Sequence, residues 1–177
     1  MVFEKSEIKD CWLIHRTPFV DERGYFARVY CEDEFKKNGI TSKFVQSSLC
    51  MNKTAKTLRG LHIQLDEAAE DKIVTCTRGR IYDVCVDVRP NSETYGKYIG
   101  VEISEENGIG LIIPNGCAHG YLTLTDNTQL FYSITAFYTP GKSTGFRYDE
   151  PLFGIKWPLP EPYIMSEQDK NWEYIRR

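Results

Sequence analysis

Close pairs of cysteine are missing from this 177-residue sequence. Six cysteines are present (Cys11, Cys31, Cys50, Cys76, Cys85 and Cys117), but no two form a C-x-x-C pair. Structural zinc and thioredoxin-type chemistry both need closely spaced ligands or thiols, so neither is supported. Long apolar runs are also absent, and nothing approaches the roughly 20 residues of a membrane-spanning helix. The N-terminal stretch MVFEKSEIKD is charged and has no secretory apolar core, which makes the cytoplasm the expected location. Nor does one sign of charge dominate. Lys and Arg total 22 against 25 Asp and Glu, a net charge of −3. With no basic cluster, a nucleic-acid partner is not expected. Histidine is scarce, with only His15, His62 and His119.

Apolar residues at 41% and charged residues at 27% match an ordinary globular protein, and the length fits a single domain over residues 1–177. Eleven Tyr and nine Phe favour sheets and ring-lined pockets. Alternation is clearest in RIYDVCVDV (80–88): Tyr82, Val84, Val86 and Val88 share one face, and Ile81, Asp83, Cys85 and Asp87 the other. Similar runs at 43–49, 58–65, 72–77, 98–103, 110–114, 120–124 and 129–138 are separated by turn-forming residues. Eight or so short strands imply a sandwich, jelly roll or barrel. Two helices are expected, one over 32–39 ending at Gly39 and one over 166–175 capped by Ser166. Between the strands and the second helix, the extended WPLPEP (157–162) can carry the tail far enough for residues near 169 to meet the sheet.

In LRGLHIQ (58–64), strand geometry places Gly60, His62 and Gln64 on one polar face and Leu61 and Ile63 on the packed side. The glycine is expected to leave room beside the imidazole. His119, in IPNGCAHGY, has Gly120 beside it in the same way. Two such histidines fit a metal-dependent site, but no H-x-H pair supports it. Taken singly, Lys72 fits a solvated strand end, Tyr132 a core ring and Asp169 a charge on a terminal helix.

Read in order, DERGYF (21–26), FVQSS (44–48), LRGLHIQ (58–64), the segment 71–98, IPNGCAHGY (113–121), YSITAFY (132–138), IKWP (155–158) and SEQD (166–169) resemble the dTDP-4-dehydrorhamnose 3,5-epimerase family over nearly the whole chain. That resemblance implies an all-β fold, a cupin-type double-stranded β-helix jelly roll with a few short peripheral helices. It also implies a homodimer, no metal or other cofactor, and a nucleotide-linked 4-keto-6-deoxy sugar as substrate. In such a sugar the C4 ketone acidifies C3 and C5, and inversion at either needs a base, an acid across the ring and a cation at the C4 oxygen.

By the same resemblance His62 is the base, a role that suits a side chain whose unperturbed pKa is about 6.5. Asp169 orients it, Tyr132 is the acid, and Lys72 stabilises the enolate oxygen. Arg23, Arg59 and His119 match positions that hold the diphosphate and sugar, Tyr138 the ring that stacks on the base, and Gln46 a polar contact there. Departures from the family pattern fall at Arg28, Ser48, Ser143 and Gln168, which imply an altered donor and acceptor set at the nucleotide end, with Arg28 facing the substrate. Ile63 and Cys117 also replace the family's usual aromatic residues. A non-catalytic sugar-nucleotide-binding protein of the same fold is the remaining alternative, against which the joint presence of His62, Lys72, Tyr132 and Asp169 argues.

Overall fold

The computed structural model describes residues 1–175. In chain order its strands are β1 (Val2–Lys5), β2 (Trp12–His15), β3 (Phe19–Asp21), β4 (Gly24–Phe26), β5 (Gln46–Asn52) and β6 (Leu58–Gln64). They continue with β7 (Lys72–Arg78), β8 (Arg80–Asp87), β9 (Tyr98–Ser104), β10 (Ile109–Ile113), β11 (Cys117–Thr123), β12 (Thr128–Ile134) and β13 (Ser143–Gly145). The two helices are α1 (Glu32–Lys37) and α2 (Glu167–Lys170). Among the described residues, no helix is long and apolar enough to cross a membrane.

A six-stranded sheet in the order β1-β2-β10-β7-β12-β5 lies against a five-stranded sheet in the order β13-β6-β11-β8-β9. Strand pairing in both is antiparallel. The result is the cupin-type jelly roll. Its alternating side chains sort into layers, as β8 illustrates. Ile81 and Cys85 enter the core between the sheets with Val74, Cys76, Leu111 and Leu130. Val84 and Val86 point outward, under Leu61, Ala118 and Phe153. Ile14, Ile73 and Ile112 face out of the other sheet and are covered by Phe35 of α1 and by Ile40. Each fully buried Ile, Leu or Val contributes about 1.5–3 kcal/mol, so these layers hold the sheets face to face.

Several elements differ from the sequence expectation. The strand expected at 43–49 runs from Gln46 to Asn52, because its partner β12 pairs Ile134 with Gln46 and Thr128 with Asn52. That pairing also stops β12 at Ile134, short of residue 138. The second helix is one turn, Glu167–Lys170, closed when Asp169 N donates to the Ser166 Oγ cap at 3.0 Å. β1 to β4 and β13, short and weakly alternating, were not expected.

Gly60 does not leave room for the imidazole. Its φ is +123°, and a Cβ there would lie 2.6 Å from Gly120 Cα and 2.8 Å from His119 O. Gly120 faces back, where a Cβ would lie 2.9 Å from Arg59 O. The two glycines let β6 and β11 approach closely, beside a register shift between His119 and Tyr121.

Candidate active site

A cavity of about 270 Å³ opens between the sheets, walled by β5, β7 and β12 on one side and by β6 and β11 on the other. His62 and His119 are direct register partners on the β6–β11 side. Tyr132, on β12, pairs with Val74 of β7 and Ser48 of β5, so it reaches the cavity from the opposite sheet together with Lys72.

Each histidine is held by its own carboxylate. His62 Nε2 lies 2.6 Å from Asp169 Oδ1, and Gly60 N–H donates to Asp169 Oδ2 at 3.3 Å. Asp169 arrives from the far end of the chain because Ile164 pairs with Thr57 just before β6 and accepts from Leu58 N at 2.9 Å. Burial acts to raise the Asp169 carboxyl, but the hydrogen bond and charge of His62 and the Gly60 N–H outweigh it and hold it below its ordinary value. Asp169 is therefore an acceptor, His62 Nε2 carries a proton, and Nδ1 is the ring atom left to take another. His119 Nε2 in turn lies 2.7 Å from Asp83 Oδ1, with Asp83 fully buried.

The other expected residues divide by location. Gln46, Arg59, Lys72, His119, Tyr132 and Tyr138 all line the cavity with His62. Gln46 Oε1 accepts from Tyr138 N at 3.2 Å, which ties the exposed tyrosine loop to β5. Arg59 Nε donates to Asn52 Oδ1 at 2.9 Å, fixing its guanidinium at the cavity wall. Arg23 and Arg28 lie outside this cavity: Arg23 pairs with Asp21 at the β3–β4 turn, and Arg28 with Glu34 of α1. Ser143 reaches the cavity from β13. Ile63 also lines it, beside His62 and Gln64, so the expected split between a cavity face and a packed face does not hold along this strand.

Sequence reasoning missed Asp83, Glu70, Tyr121 and Asn52. Asp83 carried a signal, as an acid on the same face as Ile81 and Cys85 in the alternating run 80–88. A buried acid needs a partner, and His119 supplies it. Tyr121 OH donates to Asn52 Oδ1 at 3.2 Å, and chiefly burial pushes its phenol far above the ordinary tyrosine value. It therefore stays protonated, with its hydroxyl committed to Asn52 in the cavity wall.

A profile of the family described as dTDP-4-dehydrorhamnose 3,5-epimerase matches residues 5–177. A Sinorhizobium fredii protein of that name is 42% identical over 171 residues, covering 97% of this chain and 88% of its own. The crystal structure of the protein of that name from Elizabethkingia anophelis NUHP1 superposes with a TM-score of 0.93 at 38% identity, covering 98% of this chain and 96% of that one. A Legionella pneumophila dTDP-6-deoxy-D-glucose-3,5-epimerase, solved in complex with dTDP-4-keto-L-rhamnose, superposes with a TM-score of 0.93 at 32% identity, covering 98% of this chain and 92% of that one.

Proposed function

The chain belongs to the dTDP-4-dehydrorhamnose 3,5-epimerase family, and from that premise we propose that it inverts C3, C5 or both of a nucleotide-linked 4-keto-6-deoxy sugar through an enolate. His62 Nδ1 takes the proton from the carbon beside the C4 ketone, and the electron pair moves onto the C4 oxygen. Lys72 faces that oxygen and stabilises its charge. Tyr132 then gives its proton to the opposite face, the ketone re-forms, and solvent restores both side chains. The observation that carries this reading is the placement of the His62–Asp169 pair and of Tyr132 on facing sheets across one cavity. Inversion needs a base and an acid on opposite sides of the ring.

In D₂O, a dTDP-linked 4-keto-6-deoxy sugar should gain one deuteron at each inverted centre, read by mass spectrometry and assigned by NMR. Complete retention of protium at C3 and C5, across dTDP-, CDP-, GDP- and UDP-linked sugars, would remove the epimerase reading.

The working unit is a homodimer. Phe19 and Phe26 are register partners on the β3–β4 hairpin and stand 72% and 75% exposed. A two-stranded ribbon with bare aromatic residues is not stable in water by itself. A second copy of the chain covers it and receives Arg23, at its turn, into the nucleotide end of its own cavity. Arg23→Ala should raise KM about tenfold, the loss of one charge-assisted contact to phosphate, with kcat nearly unchanged. A monomeric mass by light scattering, with full activity and no KM change in Arg23→Ala, would overturn the dimer.

A further inference from the structure

Glu70 has no place in the acid–base scheme, yet it lies inside the same cavity. It precedes β7 by two residues, its side chain is 9% exposed, and its Oε1 is 3.3 Å from Lys72 Nζ. A negative charge here opposes stabilisation of an enolate, because it cancels part of the lysine field at the oxygen. Against that cost stands a mechanical gain. An ammonium on a flexible four-carbon stem can point many ways, whereas a donor aimed at developing charge must be held in place before the reaction.

Resting on the role proposed for Lys72, we infer that Glu70 is a positioning residue, whose ionised carboxylate tethers the Lys72 ammonium at the cavity wall. The groups that share its surroundings are consistent with this. Burial raises its carboxyl, and the charges of Lys72 and His119 offset only part of that rise. His62 from β6 and Tyr132 from β12 line the same cavity. Asp71, its neighbour in sequence, is occupied elsewhere, since it accepts from the Ser42 hydroxyl and from Asn115 N. Burial is the larger influence and moves the Glu70 carboxyl above its ordinary value, so the tether loosens as the pH falls through the weakly acid range. A neutral acceptor holds an ammonium less firmly than a carboxylate does, so Glu70→Gln stands in for the protonated state.

The test is kcat and KM for Glu70→Gln and Glu70→Asp from pH 4.5 to 8.5, beside the wild type, with deuterium incorporation as the assay and thermal unfolding as the check on folding. At pH 7.5, Glu70→Gln should turn over about tenfold more slowly with KM within about twofold. The ratio of wild-type to Glu70→Gln turnover should shrink towards one as the pH falls, and Glu70→Asp, which keeps the charge, should lie between. A ratio that stays constant with pH, a ratio of one throughout, or a faster Glu70→Gln enzyme would each overturn the tether. Absence of exchange in the wild type would instead remove the epimerase reading and this inference with it.

Discussion

Turnover by the His62→Ala variant should fall about 10³-fold, the middle of the range that a positioned acid–base group contributes, and deuterium uptake at C3 and C5 should be lost with it. That loss corresponds to about 4 kcal/mol of transition-state stabilisation. The cost to the fold is small by comparison. Asp169 loses one partner but keeps the Gly60 N–H, and the His62 side chain is 39% exposed, so water enters the vacated space. About 1 kcal/mol of stability is at stake, visible as a shift of a few degrees in thermal unfolding. Tyr132→Phe provides the contrast. Its phenol supplies the second proton in the scheme, so removal should stop inversion and leave exchange. The enolate still forms at His62 and is reprotonated from the same side with a deuteron. Deuterium uptake with retained configuration in Tyr132→Phe, and none in His62→Ala, is the expected pair of results. Undiminished uptake in His62→Ala would strip the histidine of its role.

How far the sequence revealed this site depends on the distance over which each residue finds its partner. β8 was readable because strand alternation is local, and its two faces became two separate layers. The return of Asp169 to the sheet was readable from the proline-rich WPLPEP segment, although that segment bends at Pro158, Leu159 and Glu161 instead of running extended. β5 was expected three residues too early, and its burial shows why the apolar signal there is a poor guide. Its interior side carries Gln46, Ser48, Cys50 and Asn52, while Leu49 and Met51 stand 63% and 45% exposed. A cavity that binds a polar ligand inverts the usual hydrophobic signal, so the apolar pattern marks the wrong face. The same inversion hid Glu70, an acid in a charged stretch that reads as solvated surface until Lys72 and the cavity are placed beside it. Gly60 and Gly120 were recognised as spaces, but the space is filled by the opposing backbone. Only the pairing of β6 with β11 reveals that.

Asp87 shares its strand face with Asp83 and makes the largest stability prediction. Fully buried at the end of β8, it accepts from Arg89 Nη2 at 2.8 Å, Ser92 Oγ at 2.6 Å and Thr94 Oγ1 at 2.5 Å. Arg89 also donates to Lys9 O at 3.1 Å, so one carboxylate joins the 92–97 turn to the N-terminal segment. Asp87→Ala leaves the guanidinium and two hydroxyls without this acceptor and should cost about 3 kcal/mol, the lower end for breaking a buried ion pair. For a chain of this size that lowers Tm by about 10 °C. Burial acts to raise the Asp87 carboxyl, but the hydrogen bonds from Arg89, Ser92 and Thr94 prevail and hold it far below the usual carboxylate range. A depressed native pKa contributes stability that is complete above the unfolded value of about 3.9 and is lost as the pH falls below it. The Tm difference between wild type and Asp87→Ala should therefore be constant from pH 6 to 8 and narrow below about pH 4. Because Asp87 lies outside the cavity lining, exchange by the folded variant at 25 °C should match the wild type. A Tm difference that persists unchanged at pH 3 would mean that lost packing, rather than the lost ionised carboxylate, sets the cost.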